Sequence, residues 1–285
     1  MKESSNMVTV AALQLELGGS LHENLNSVIS LIRESAAAGA QIILPPELFQ
    51  GPYFCREEKE AYFAMAHNLD AHPVLEEMIP LAGELGVVLP VSLFERDGQS
   101  FYNTVVVVDA DGTILGSYRK SHIPDGPGYE EKFYFRPGDT GFKVWETRFC
   151  RIGVGICWDQ WFPECARAMV LDGAELLFYP TAIGSEPEEP DLDTSGMWQR
   201  VMQGHAVANI IPVIAANRIG DEGGQVFYGH SFITDAYGEI LNELGPGETG
   251  IIQQTFDLDD IRLKRASMGF FRDRRPELYG RLTQP

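Results

Sequence analysis

The chain has 285 residues, of which 22 are Lys or Arg and 41 are Asp or Glu, giving a formal charge of −19. That length can bury a large core as one unit, and the acidic excess argues against nucleic acid or an anionic membrane surface as partner, since both call for clustered cations. No run approaches the roughly 18 apolar residues of a membrane span, and Met1-Lys2-Glu3-Ser4-Ser5 opens no apolar leader, so the expectation is a soluble, cytoplasmic protein.

A strand is predicted over 7–15, followed by a helix with Ser20 as N-cap and Glu23 three residues on, a capping box. Leu21, Leu25, Val28 and Ile32 share one face of that helix, and Gly39 closes it. A strand over 41–44, a helix over 72–85 and strands over 87–94 and 102–109 follow. Asp111-Gly112 is a hairpin turn into a strand over 113–118. The apolar run 151–156 reads as a strand, 163–171 as a helix, 175–179 as a strand, 196–209 as a helix and 211–216 as a strand. A hairpin then joins 227–234 to 239–244, and 250–256 is one more strand. Helices between strands at both ends, with hairpins in the middle, suggest sheets covered by helices on their outer faces. The acidic stretch 185–193 reads as an exposed loop, and no linker divides the chain.

Three chemically useful residues each follow a strand signal: Glu47 after 41–44, Lys120 after 113–118 and Cys157 after 151–156. A side chain at the C-terminal edge of a buried strand is well placed to face a crevice. Individually the bland readings are a buried thiol, a loop acid and a surface cation. Together, Glu47 could take the proton of Cys157, while Lys120 and the Trp158 N–H could stabilise an oxyanion. Such a site hydrolyses C–N bonds without metal. The cysteines, 55, 150, 157 and 165, have neither zinc-ligand nor disulfide-frame spacing, so reduced thiols, no metal and no cofactor are expected.

Glu47 in Leu-Pro-Pro-Glu-Leu-Phe, Lys120 in Tyr-Arg-Lys-Ser-His-Ile-Pro and Cys157 in Gly-Ile-Cys-Trp-Asp-Gln-Trp-Phe-Pro-Glu resemble, in order, the three signature motifs of the nitrilase or carbon–nitrogen hydrolase superfamily. The resemblance implies an α/β fold, a four-layer α-β-β-α sandwich formed as one domain over 1–285, with a Glu-Lys-Cys triad at Glu47, Lys120 and Cys157. It also implies a second glutamate, Glu131, that orients the lysine or the substrate. Outside these motifs, His122 to Tyr129, Ala182 to Pro187, Arg200 to Ala206 and Phe271 to Tyr279 resemble the branch acting on N-carbamoylputrescine. Cys165, where that family usually has alanine, and the Pro45-Pro46 pair are small departures that leave the triad intact.

The reaction so implied is hydrolysis of a terminal ureido group to an amine, carbon dioxide and ammonia through a thiocarbamate on Cys157. A small cationic ureido substrate calls for an anion about four carbons from the carbonyl, with Glu186 the first candidate and Asp125 the second. Tyr53, Tyr129, Trp158 and Trp161 are candidates to line the alkyl chain. His205, on an apolar-patterned helix, is read as packed rather than catalytic. The basic cluster at 262, 264, 265, 272, 274 and 275 is read, with 258–285, as a segment making subunit contacts in a homo-oligomer, its arginines pairing with acids across the interface. The competing readings are a β-ureidopropionase, an N-carbamoyl-D-amino acid hydrolase or an ω-amidase and, from another class, a non-catalytic binding protein or a thiol redox sensor. Carboxylate-bearing substrates would want an Arg-rich pocket, and the loop 185–193 is acidic.

Overall fold

In the computed structural model, which describes residues 6–284, two six-stranded sheets lie face to face. The opening pentapeptide, read above for a leader, lies outside the described residues. The first half of the chain runs β1 (Met7–Gln14), α1 (Leu21–Ala37), β2 (Ile42–Leu44), α2 (Pro73–Leu85), β3 (Leu89–Asp97), β4 (Ser100–Val108) and β5 (Ile114–Arg119). The short helix α3 (Glu131–Tyr134) leads to β6 (Val144–Glu146), β7 (Arg151–Val154), α4 (Pro163–Leu171), β8 (Leu176–Pro180), α5 (Ser195–Asn209) and β9 (Val213–Ala216). Strands β10 (Ile219–Asp221), β11 (Val226–Tyr228), β12 (Phe232–Thr234), β13 (Ile240–Glu243) and β14 (Gly250–Asp257) follow, then α6 (Leu258–Met268).

Backbone bonds from Ile43 to Val88 and from Val88 to Gln41 join β2 to the start of β3, so the first sheet runs β14-β1-β2-β3-β4-β5. The second runs β13-β12-β9-β8-β7-β6. Alternate residues of each strand supply two different cores. Val10 and Ala12, Ile42 and Leu44, Ile152 and Val154, and Ile214 and Ala216 meet between the sheets. Ala11, Leu13 and Ile43 pack instead under α1 and α2, while Leu177, Val213 and Ala215 pack under α4 and α5. Strands covered on both faces read as unbroken apolar runs, which is why these segments show no polar alternation. The helices obey the opposite rule: α1 buries Leu25, Val28 and Ile32 on one stripe, each contributing about 1.5–3 kcal/mol of transfer free energy. Its N-terminus is the expected capping box, with Ser20 and Glu23 bonded reciprocally.

One predicted element breaks. The strand expected over 227–234 is two strands, β11 pairing with β10 and β12 pairing with β9 and β13. Between them Gly229 (φ 69°) and His230 (φ 57°) are left-handed, a conformation that ends a ladder. A side chain at Gly229 would also run into Gln14. The helix α6 had no clear apolar stripe to announce it, since only Leu258 and Ile261 are buried; Asp257 caps it by accepting from the N–H groups of Asp259 and Asp260. No helix among the described residues is long and apolar enough to cross a membrane.

The topology sets the site. Strands β1, β2, β3 and β5 share one direction, with β4 opposed, and β7, β8 and β9 are mutually parallel. Their C-terminal ends give rise to the loops carrying Glu47, Lys120, Cys157, Gly184 and Arg218. Ligands of parallel sheets bind at this edge.

Candidate active site

Glu47, Lys120 and Glu131 are fully buried and joined directly. Lys120 Nζ donates to Glu47 Oε1 at 2.9 Å and to Glu131 Oε1 and Oε2 at 2.9 and 2.7 Å. Asn103 Nδ2 also donates to Glu47 Oε1, at 2.7 Å, and Tyr53 Oη donates to Glu131 Oε1 at 2.7 Å. Burial alone would lower the Lys120 ammonium, but Glu131 and Glu47 outweigh it and hold it well above the ordinary lysine range. Burial raises the Glu131 carboxyl and the nearby Glu47 charge adds to that, with Lys120 opposing.

Cys157 begins a 3-10 turn, Cys157–Trp161, directly after β7. Its φ of 40° is left-handed, a strained state for a non-glycine residue costing about 1–3 kcal/mol. Asp159 holds the turn: fully buried, it accepts from the Ile156 N–H at 2.9 Å and the Tyr118 hydroxyl at 2.7 Å, and from His122 Nδ1 at 2.7 Å. The His122 ring lies flat on Phe162, centroids 3.6 Å apart. Burial and then the Glu47 charge push the Cys157 thiol well above the usual range, against Lys120. Trp158, second residue of the turn, has its N–H at the open N-terminal end, where no intrahelical acceptor exists.

A cavity of about 280 Å³ opens at Cys157. Its walls include Trp158, Trp161, Tyr129 and Ile183, and its charged lining residues are Asp125 and Glu186. Burial, with Glu189 nearby, raises the Glu186 carboxyl. Tyr129 is pinned by the Gly184 N–H and Gln225 Nε2, both at 2.8 Å. Gly184 has no room for a side chain there, because a Cβ would stand 2.1 Å from the Val226 carbonyl oxygen. A larger hollow, about 500 Å³, lies between α4, α5 and the C-terminal tail, but Cys157 is not among its lining residues.

Two expected cavity contacts fall elsewhere. Tyr53 and Glu131 do not line the cavity, and neither do Glu47 and Lys120, which leaves Cys157 as the member of the triad at its wall. Tyr53 is wholly buried, with its hydroxyl spent on Glu131 and its ring against Phe227 and Tyr129, because that hydroxyl adds a second donor to Glu131 Oε1 beside Lys120. Glu131 has both oxygens on Lys120, which leaves the lysine rather than a substrate as its partner. His205 is buried in α5, and its Nε2 bonds the Gln160 carbonyl at 2.7 Å. The basic cluster is tied largely within the chain: Arg262 reaches Glu175 and Asp259, Arg272 Asp273 and Arg275 Glu277. The pairs with Asp259, Asp273 and Glu277 are local in sequence, while Arg262 reaches Glu175 across 87 residues.

Sequence reading missed Arg218 and Glu222. Arg218, fully buried, donates to the carbonyls of Glu47 and Leu48 at 3.2 and 3.0 Å and to Glu222 Oε1 at 2.8 Å, and Glu222 in turn accepts from the Tyr53 N–H. Leu48, at φ 47°, is thus clamped in its own left-handed turn. The available signal was positional, since Arg218 follows an apolar strand end much as Glu47 does.

The sequence model of the carbon–nitrogen hydrolase family matches residues 9–266. The chain belongs to that family. It is 54% identical to an N-carbamoylputrescine amidase of Solanum tuberosum, covering 98% of this chain and 96% of that one, and 50% identical to a citrullinase of Francisella tularensis, covering 97% and 98%. A carbon–nitrogen hydrolase from Helicobacter pylori superposes with a TM-score of 0.91 at 36% identity, covering 98% and 99%. The fold is that of the nitrilase superfamily, the α-β-β-α sandwich expected, and the protein is a hydrolase of C–N bonds.

Proposed function

We propose that this single-domain hydrolase cleaves the terminal ureido group of N-carbamoylputrescine, giving putrescine, carbon dioxide and ammonia. The observation that carries this reading is a cavity that opens at Cys157 and whose charged lining residues are both acids, Asp125 and Glu186, with the buried Lys120–Glu47 pair acting electrostatically on that cysteine. The full-length similarity to amidases named for that substrate supports it.

In this reading Cys157 attacks the carbamoyl carbon as its proton passes to Glu47. Lys120 and the Trp158 N–H stabilise the oxyanion. Collapse breaks one C–N bond, the leaving nitrogen taking the proton back from Glu47, and leaves a thiocarbamate on Cys157. Water, deprotonated by Glu47, then attacks the thiocarbamate carbon; the C–S bond breaks, Glu47 returns the proton to the sulfur, and the released carbamic acid loses carbon dioxide to give the second amine. The substrate ammonium is held by Glu186, with Asp125 as the second anion, and Tyr129 and Trp158 flank the alkyl chain.

The citrullinase relative supports a second reading. Citrulline carries its ureido group and its amine at the same four-carbon separation, but adds a carboxylate beside the amine. No Lys or Arg is among the cavity's lining residues, so that carboxylate would face two acids. The direct test is ammonia and amine release by wild type and Cys157→Ser, offered N-carbamoylputrescine, citrulline or a β-ureido acid. Turnover of the first, lost in the variant and at least about tenfold weaker with the others, is expected; preference for citrulline would overturn the substrate and keep the chemistry. We also propose a cytoplasmic homo-oligomer with contacts through 258–285, so that removing 268–285 lowers the number of subunits seen by light scattering, and an unchanged number would remove that idea.

A further inference from the structure

General-base chemistry at Glu47 requires one carboxylate oxygen to be held and the other to be free. Lys120 Nζ and Asn103 Nδ2 both donate to Oε1, while Oε2, equally buried, has no donor among the described residues. We propose that Asn103 is a positioning residue for the reaction: by tying down Oε1 it assigns Oε2 as the oxygen that takes the proton of Cys157. The inference rests on Glu47 being the base.

The orientation of the amide follows from chemistry. A carboxylate only accepts, so the side of Asn103 that faces Glu47 must be its NH2 group. Strand register brings the two donors together. The β4–β5 ladder pairs Thr104 with Arg119, and the Lys120 N–H then donates to the Asn103 carbonyl at 2.8 Å, so Asn103 and Lys120 stand opposite one another. Residues directly opposite project to the same face.

Lys120 alone is a weak clamp on Glu47, because it makes one contact there and two to Glu131. The terminal torsion of a glutamate is soft, and a single bond leaves the carboxylate free to swing. A second donor on the same oxygen removes that freedom. An amide does so without adding charge, so it lowers the proton affinity of the base less than another cation would.

Packing alone does not account for the residue. Asn103 is fully buried and its Oδ1 has no hydrogen-bond partner among the described residues, a desolvation cost that leucine of similar size would avoid. A polar group kept at such a position points to what its other end does.

The test compares wild type, Asn103→Leu and Glu47→Gln in the full chain with N-carbamoylputrescine as substrate. With Asn103→Leu, kcat should fall about ten- to hundredfold while KM stays within about twofold. The acid limb of kcat/KM should move to higher pH, since a hydrogen bond that favours the charged form of the base is gone. Melting temperature should be equal or higher. Should Asn103→Leu fold poorly, Asn103→Val, suited to a strand and lacking any donor, is read the same way. An unmoved acid limb in the folded variant, with turnover intact or with loss that tracks melting temperature, overturns the proposal. Glu47→Gln at wild-type turnover would instead remove the underlying reading of the base.

Discussion

The two ends of the cavity are built by opposite rules. At the reacting end, Glu47, Lys120 and Glu131 are buried and bonded to one another, Asp159 locks the cysteine turn, and Arg218 grips the backbone beside Glu47. At the far end, Glu186 and Asp125 sit on loops and are partly exposed. The bonds to side chains at that end fall on Tyr129, not on the two acids, apart from a 3.9 Å approach of Lys132 to Asp125. Rigid placement is what bond-breaking requires, since the oxyanion donors and the base must be preset. Recognition needs only the right charge at the right reach, and loops supply that with little consequence for the fold. A family can therefore keep one end and vary the other.

The largest effect that separates the ends is expected from Lys120→Met. It leaves Glu47 and Glu131 as two buried carboxylates with only Asn103 and Tyr53 as side-chain donors. Turnover should fall about a thousandfold or more, and stability at pH 7.5 should drop by about 3–5 kcal/mol, as for a broken buried pair. Because burial already raises Glu131, losing the lysine raises it further, and protonation of one carboxylate should shrink the stability deficit as pH falls toward 5. Urea unfolding at the two pH values checks this; equal deficits would mean that the carboxylates are not the source.

A smaller, selective effect is expected at the far end. Glu186→Gln should raise KM for N-carbamoylputrescine about ten- to hundredfold, equivalent to about 1.4–2.8 kcal/mol, and leave KM for uncharged butylurea within about twofold. Unfolding midpoints should be unchanged, since the side chain packs into no core. Equal effects on the two substrates would move the ammonium contact to Asp125 or elsewhere.

The same division governs what the sequence reveals. Glu47, Lys120 and Cys157 are legible because each is a reactive side chain placed where a buried apolar strand ends. The four layers follow from strands apolar on both faces next to helices apolar on one. Asn103 hides inside an ordinary strand, and its meaning depends on a register that only the β4–β5 pairing supplies. Tyr53 was misread because an aromatic residue can be wall or foundation with equal ease, and the hydroxyl bond that decides spans 78 residues. Arg218 acts across 171 residues on the Glu47 backbone, beyond the reach of local pattern. The break at Gly229 and His230 is a backbone matter that β-propensity overruled in the reading of 227–234.

Acid titration of activity will report on the reacting end only if the fold itself survives, and His72 sets part of that limit. It caps α2 by accepting from the Val74 N–H at 3.3 Å, with its other nitrogen 3.2 Å from the Phe94 carbonyl. Burial lowers its pKa to about 4, with the Phe94 bond opposing. Between about pH 6.5 and 4 the unfolded chain therefore binds a proton that the folded one does not, so stability is complete above 6.5 and falls as pH drops through this window. His72→Asn keeps a cap without a titrating ring. Between pH 7 and 4.5, wild type should lose about 2–3 kcal/mol more than this variant, and parallel losses would assign the acid sensitivity of the fold to the carboxylates instead. If the loss does track His72, rates measured in the His72→Asn background extend the usable acid range, and the acid limb seen there belongs to the Glu47 cluster rather than to unfolding.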